Sequence, residues 1–327
     1  MAEAACSHVP LPARVRSALV ESGALLALVL LLVFNAALTR DFLTLQTFNV
    51  NLSQVAQIVV VAMGMALVVA TGGIDLSVGA TAAFAGTLAA LLLTQATGPL
   101  ASPGLAIPAA LLLPLLGAAL FGALNGALIT RYRIQPIVAT LVLFIAGRGL
   151  AELLTESNLR TFDNGRLDWL RANLLGIPVQ GFLMLAVVGV TAWMMRRTLF
   201  SRWVLAVGGN ERAAQLAGIP VRRVKLSVYV VCGMLAGLAG IMNVAVISAA
   251  DPAKIGQNIE LDAIAAVAVG GTLLTGGRAN ILGTLIGALV IQLLGYTLLA
   301  HGVPDEYGLI VKGAIILLAV FLQRRGA

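Results

Sequence analysis

Charge is scarce in this sequence. Only 11% of its 327 residues are Asp, Glu, Lys or Arg, whereas a soluble chain carries roughly a quarter. So few charges cannot clothe a water-facing surface, and the 60% apolar content and mean hydropathy of +0.99 point the same way. Lysine is rarer still. Lys225, Lys254 and Lys312 are the only three, and none follows a glycine. A phosphate-binding loop of the form GxxxxGK[ST] is therefore absent, and any ATP chemistry must belong to another subunit. The two histidines, His8 and His301, and the two cysteines, Cys6 and Cys232, are scattered. No HExxH, GxSxG or paired-cysteine metal motif occurs, so neither a disulfide nor hydrolytic or metal catalysis is expected. The chain is read as a non-enzyme that binds no cofactor of its own.

What is present is a series of long apolar runs broken by short polar loops. A bilayer core of ~30 Å needs runs of about 20 residues, and continuous rather than alternating apolarity favours helices over a barrel. The runs are 18–38, 52–71, 78–95, 105–130, 134–154, 177–195, 226–249, 260–275, 280–300 and 307–322. The first follows Arg14 and Arg16 without a cleavage site and is expected to remain as a span. The eighth is short and glycine-punctuated, as a half-helix would be.

The expected fold is an all-α integral membrane protein of about ten membrane-embedded helices, discontinuous near 71–79 and 260–283. Both termini would be cytoplasmic, with tails 1–17 and 323–327 flanking a transmembrane domain 18–322. The net charge of +7 would suggest nucleic acid for a soluble protein. Here the basic residues sit in inter-helix loops and read as topology signals, with lipid and no nucleic acid as the partner. With the N-terminus inside, fourteen basic residues face the cytoplasm against five outside, namely Arg40, Arg160, Arg166, Arg171 and Lys254.

Two long loops remain. Residues 155–176 lie outside, where Trp169 could anchor them at the interface. Residues 196–225 are the one sizeable cytoplasmic feature. In that loop Asn210 is placed as an N-cap, Glu211 to Ala217 favour about two helical turns, and Gly218 and Pro220 stop them. The small side chains of Ala213, Ala214 and Ala217 would let such a helix sit closely in a partner's groove. The other reading is a basic loop on anionic lipid.

Further residues carry chemistry inside the runs. Gly72 and Gly73 permit a helix break whose freed backbone groups could line a polar cavity. Asp75 beyond them is either an acceptor for hydroxyls, a structural tie, or an N-cap of the helix opening at Leu76. Arg148 and Glu152, four apart, share a helix face. They either neutralise each other or face a channel mouth. Asn125 and Asn243 are amides in apolar helices, suited to interhelical hydrogen bonds. Gly117, Gly122, Gly126, Gly283 and Gly287 permit close helix packing. Lys312 is placed to snorkel. Glu260, Asp262, Asp251, Asp305 and Glu306 would make an acidic outer rim, solvated or docking a partner. TGGIDLSVG at 71–79 and TGGRANILG at 275–283 hint at two related halves.

Several motifs carry a resemblance. Arg212-Ala-Ala-x-x-x-Gly218 resembles the EAA-x-x-x-G coupling motif of ABC importer permeases, with Arg212 in place of the glutamate. GGNERAAQLAGIPVRRVK, GGIDLSVG at 72–79, the stretch from Gln135 to Leu141 with Gly147 to Gly149, and ELDAIAAVAVGGTLLTGGRANILGTLIGA at 260–288 are similar to the ribose and galactofuranose type of sugar permease. The resemblance implies a dimer of like or unlike permeases in the bacterial inner membrane. Each copy would dock a cytoplasmic ATPase that uses ATP and Mg, and a periplasmic sugar-binding protein would deliver a pentose or hexose. Asn210, Glu211, Arg212, Ala213, Ala214 and Gly218 would then couple to the ATPase. Gly72, Gly73, Asp75, Asn125, Arg148 and Glu152 would belong to the path or its gate. Two alternatives stay open: a related permease for branched-chain amino acids or nucleosides, and a secondary transporter running on an ion gradient.

Overall fold

The computed structural model describes residues 13–94, 103–162 and 166–324. The expected tails lie outside it apart from 13–17, which already belong to the first helix, and 323–324, which end the last. Cys6 and His8 are likewise outside it. The elements in chain order are α1 (Ala13–Leu38), α2 (Leu45–Ala70), α3 (Val78–Thr94), α4 (Pro103–Arg131), α5 (Pro136–Thr155), β1 (Arg160–Thr161), α6 (Asp168–Arg171), β2 (Asn173–Leu174), β3 (Ile177–Pro178), α7 (Val179–Arg197), α8 (Leu199–Gly209), α9 (Glu211–Leu216), α10 (Val221–Ile247), β4 (Ala249–Ala250), α11 (Ile259–Val269), α12 (Ile281–Ala300) and α13 (Asp305–Arg324).

Every one of the ten apolar runs contains a helix. Among the described residues six, α2, α4, α5, α7, α10 and α12, are long and apolar enough to cross a membrane. The eighth run yields only α11, whose 11 residues rise about 16 Å, half a bilayer core. α2 is the axis of the bundle. Of its most apolar window 83% is buried, against 28% in α4, α5 and α7, whose outer faces remain apolar and exposed. A helix apolar all round and buried all round needs neighbours on every side, and α2 touches α7, α10, α11 and α12.

Small residues set how closely these helices approach. Gly122 and Gly126 of α4 lie against the backbone of Tyr229 and Leu226 in α10, and Gly283 and Gly287 of α12 lie against Gly270 and Ala266 at the end of α11. The expected close-packing role holds for these four. Gly117 instead faces the ring of Phe84. Pro108 and Pro114 both lie inside α4, Pro108 exposed and Pro114 buried, and membrane helices tolerate such prolines.

The 155–176 loop is more structured than a connector. β1 pairs antiparallel with β4, and β2 with β3. Trp169 stands half exposed on α6.

Candidate functional site

The chain breaks between α2 and α3 for a local reason. Thr71 caps α2, its Oγ1 donating to the Val68 carbonyl at 2.7 Å, and the amides of Thr71 and Gly72 return to Val68 and Val69. The chain then runs non-helically to Val78. Asp75, only 1% exposed, sits in this break. Its Oδ1 accepts from the Ser77 amide at 2.9 Å and the Ser77 hydroxyl at 2.7 Å. Asn125 of α4 donates to the same Ser77 hydroxyl at 2.8 Å and reaches Asp75 Oδ1 at 3.4 Å. The Tyr229 hydroxyl of α10 donates to the Ile74 carbonyl at 3.4 Å, directly over Gly73. None of the ion pairs among the described residues involves Asp75. It organises the start of α3 through Ser77, whose carbonyl accepts the first helical amide, that of Thr81. The helix therefore opens at Val78, two residues later than Leu76, and Asp75 is an anchor two residues before the N-cap rather than the cap itself.

The second break follows α11. Gly270 packs against Gly283, the Asn280 amide donates to the Thr272 hydroxyl at 2.9 Å, and the Asn280 side chain caps α12 by accepting from the Gly283 amide at 3.0 Å. The two TGG sequences meet. The Gly277 amide donates to the carbonyl of Ala70, the last residue of α2, at 3.0 Å, and Gly276 lies against Gly72.

A third element joins them. The 196–225 stretch is not a loop with one short helix, because 199–209 is helical as well. α8 buries Ser201, Val204 and Val207 along one face. At its end Gly208 sits where a β-carbon would overlap the Ala70 carbonyl oxygen and crowd the Gly277 amide at 2.5 Å. Only hydrogen fits there, so Gly208 holds the 199–218 segment against both breaks at one point.

Asn210 then caps α9, its side chain accepting from the Ala213 amide at 3.0 Å. The helix ends at Leu216, and Gly218 turns the chain at φ +82°, a conformation that glycine adopts without cost. Of the residues singled out in this helix only Ala214 is buried. Glu211, Arg212, Ala213 and Gly218 are exposed, as is Leu216 at 90%. Lys225 of α10 holds Glu211 by an ion pair of 2.7 Å.

Other expectations needed correction. Arg148 does not pair with Glu152. Its Nη1 donates to the carbonyls of Pro252, Ala253 and Ile255 at 2.9, 3.2 and 3.1 Å, tying α5 to the turn before α11. Three fixed carbonyls outcompete one mobile carboxylate, and Glu152 is left half-buried with no ion pair among the described residues. The acidic rim also fails in part. Glu260 and Asp262 are 6% and 9% exposed, and Lys312 does not snorkel but meets Asp262 at 2.7 Å. The Asp305 side chain lies outside the described residues.

Six apolar helices of spanning length, packed around two helix breaks, define a polytopic membrane protein. Comparison with known proteins narrows the class. The family of permease components of branched-chain amino acid transport systems matches residues 49–320. The ribose import permease protein of Escherichia coli K12 is 40% identical over 313 residues, 94% of either chain. The galactofuranose transporter permease protein of the same organism is 39% identical over 274 residues, 83% of this chain and 78% of the relative. A solved structure described as an inward-facing metal-chelate type ABC transporter shares the fold, with TM-score 0.50 and 15% identity over 92% of this chain and 99% of that one. The chain belongs to this family of ABC import permeases, and it is a multi-pass membrane transport subunit rather than an enzyme.

Proposed function

We propose that this permease forms the translocation path for a monosaccharide, a pentose or hexose, in the inner membrane of a bacterium. Ten helices would be membrane-embedded, α11 as a half-helix, with both termini in the cytoplasm and the transmembrane domain running over 18–322. The chain itself binds no cofactor. A partner ATPase using ATP and Mg would dock on α9 at Asn210, Glu211, Arg212, Ala213 and Gly218, while Ala214 seats the helix on the permease core. A second permease, identical or a paralogue, would complete the path, and a periplasmic binding protein would deliver the sugar.

The observation that carries this reading is the contact of Gly208 with Ala70 and Gly277. A displacement of α8 and α9 by the ATPase is delivered directly to both helix breaks, since packed elements transmit movement rather than absorb it. The breaks, with Gly72, Gly73, Asp75 and Asn125, act as the gate. Arg148 sets its outer end by fixing the turn before α11, and Glu152 lies beside the mouth. The sugar class is supported by the ribose and galactofuranose relatives. An ion-coupled transporter has less support, because Asp75 is already committed to Ser77 and Asn125. Uptake into proteoliposomes tests the proposal. Labelled ribose and hexoses should accumulate only when ATP, the ATPase and the binding protein are all supplied.

A further inference from the structure

A second polar feature lies away from the breaks. Between α2, α3, α10, α11 and α12 is a cavity of about 300 Å³, at the lower end of the ~300–1,000 Å³ range of small-molecule sites. Five amide side chains line it: Gln54 and Gln57 of α2, Asn243 of α10, Gln257 of the turn before α11, and Gln292 of α12. Ala82 and Gly240 form part of its wall, where the backbone of α3 packs directly against Gly240 of α10.

The amides are arranged in pairs across helices. Asn243 Nδ2 donates to Gln57 Oε1 at 2.9 Å, and Gln292 Nε2 donates to Gln54 Oε1 at 2.7 Å. Each pair uses one donor and one acceptor. A primary amide carries two donor hydrogens and a carbonyl with two lone pairs. Gln57 Nε2 and Asn243 Oδ1 have no hydrogen-bond partner among the described residues, nor have Gln54 Nε2 and Gln292 Oε1. Each pair thus offers a donor beside an acceptor, the complement of a hydroxyl group, which accepts and donates at once. The lining carboxylate, Asp262, is engaged by Lys312, so it offers no free anion. Lys254, exposed on the turn before α11, is the one lining side chain with a charge that no ion pair balances among the described residues. The amide pairs between the helices suit the hydroxyls of a polyhydroxylated ligand.

We infer that this cavity is a transit site for the sugar, with the pairs Gln57–Asn243 and Gln54–Gln292 contacting its hydroxyls. The inference rests on the import reading above. Gln57 precedes Ala70 by thirteen residues on α2, so the cavity stands about 20 Å along the helix from the Gly208 junction. It is far enough for the ligand to be held at one end while α8 and α9 act on the other. Neutral hydrogen bonds are weaker than charge-assisted ones, which lets a transported ligand leave.

The test uses the complete complex of permease, ATPase and binding protein in proteoliposomes, with Gln57→Leu and Gln54→Leu as separate variants. Each removes one member of a pair while keeping side-chain bulk. The site predicts that sugar uptake falls about tenfold or more in each variant, the equivalent of one or two lost hydrogen bonds. It also predicts altered relative rates across a sugar panel, while ATP hydrolysis stimulated by the binding protein stays within about twofold. Wild-type uptake in both variants overturns the inference. So does a parallel loss of uptake and stimulated hydrolysis in both, which would make the pairs interhelical ties alone. A wild-type complex that imports no sugar overturns the import reading instead.

Discussion

Gly208 and Ala70 are in backbone contact across 138 positions of sequence: the α-carbon of Gly208 lies against the Ala70 carbonyl oxygen, which also accepts the Gly277 amide at 3.0 Å. The contact leaves no space for a methyl group. Here the external helix pair, the end of α2 and the loop after α11 converge.

Replacing Gly208 by alanine is therefore expected to push these three apart. Overpacking of this kind costs about 1–3 kcal/mol. ATP-driven uptake should fall about tenfold while the ATPase still co-purifies with the permease. Gly209→Ala is the control, because nothing lies within 4 Å of a β-carbon there. It should leave uptake unchanged. Equal effects of the two substitutions in the uptake assay would remove the special role of Gly208.

Asp75 is expected to act through stability. Asp75→Ala leaves the Ser77 amide without its partner and removes an anchor of α3, worth about 1–3 kcal/mol for a buried donor left unsatisfied. Asp75→Asn keeps an acceptor for the Ser77 amide and should recover more than half of that loss. Thermal unfolding in detergent ranks the three proteins. A large rise in the apparent KM for sugar with no change in Tm would instead make Asp75 a substrate contact.

The Lys312–Asp262 pair is expected to matter more broken than absent. Lys312→Met strands a buried carboxylate, a cost of up to about 3–5 kcal/mol, whereas the double variant Lys312→Met with Asp262→Leu removes both charges and should recover most of it. Denaturation of single and double variants, compared as a cycle, reads the difference.

Leu216 on α9 is apolar yet 90% exposed, as a side chain awaiting a partner is. Leu216→Glu should leave the permease's own stability within about 0.5 kcal/mol and weaken ATPase binding by about 2 kcal/mol or more, the scale of an apolar anchor. Titration of ATPase onto the detergent-solubilised permease measures it.

The helices were legible because each apolar run is uninterrupted and bounded by polar residues, and the short eighth run already announced the half-helix α11. The break at 71–77 was legible in Gly72 and Gly73, and the α9 cap in Asn210. What escaped the sequence depends on distant partners. α8 carries a signal in the spacing of Ser201, Val204 and Val207, but the glycines at 208–209 and the basic residues around it favoured a loop. Arg148 and Glu152 have the spacing of an ion pair, and only the fold reveals that the 252–255 carbonyls are nearer. Glu260 and Asp262 follow an external-looking turn, and only packing against α3 and α13 buries them. The amides of the cavity lie on four elements far apart in sequence, so their convergence has no local signature.

The most direct test of the central claim, that α8 and α9 carry the ATPase's work to the helix breaks through Gly208, is sugar accumulation in proteoliposomes containing the permease, the ATPase and the binding protein. The account predicts accumulation that requires ATP and all components, and that is abolished when 199–218 is replaced by a flexible linker of equal length. Accumulation without ATP, or undiminished import by the linker variant, would contradict it.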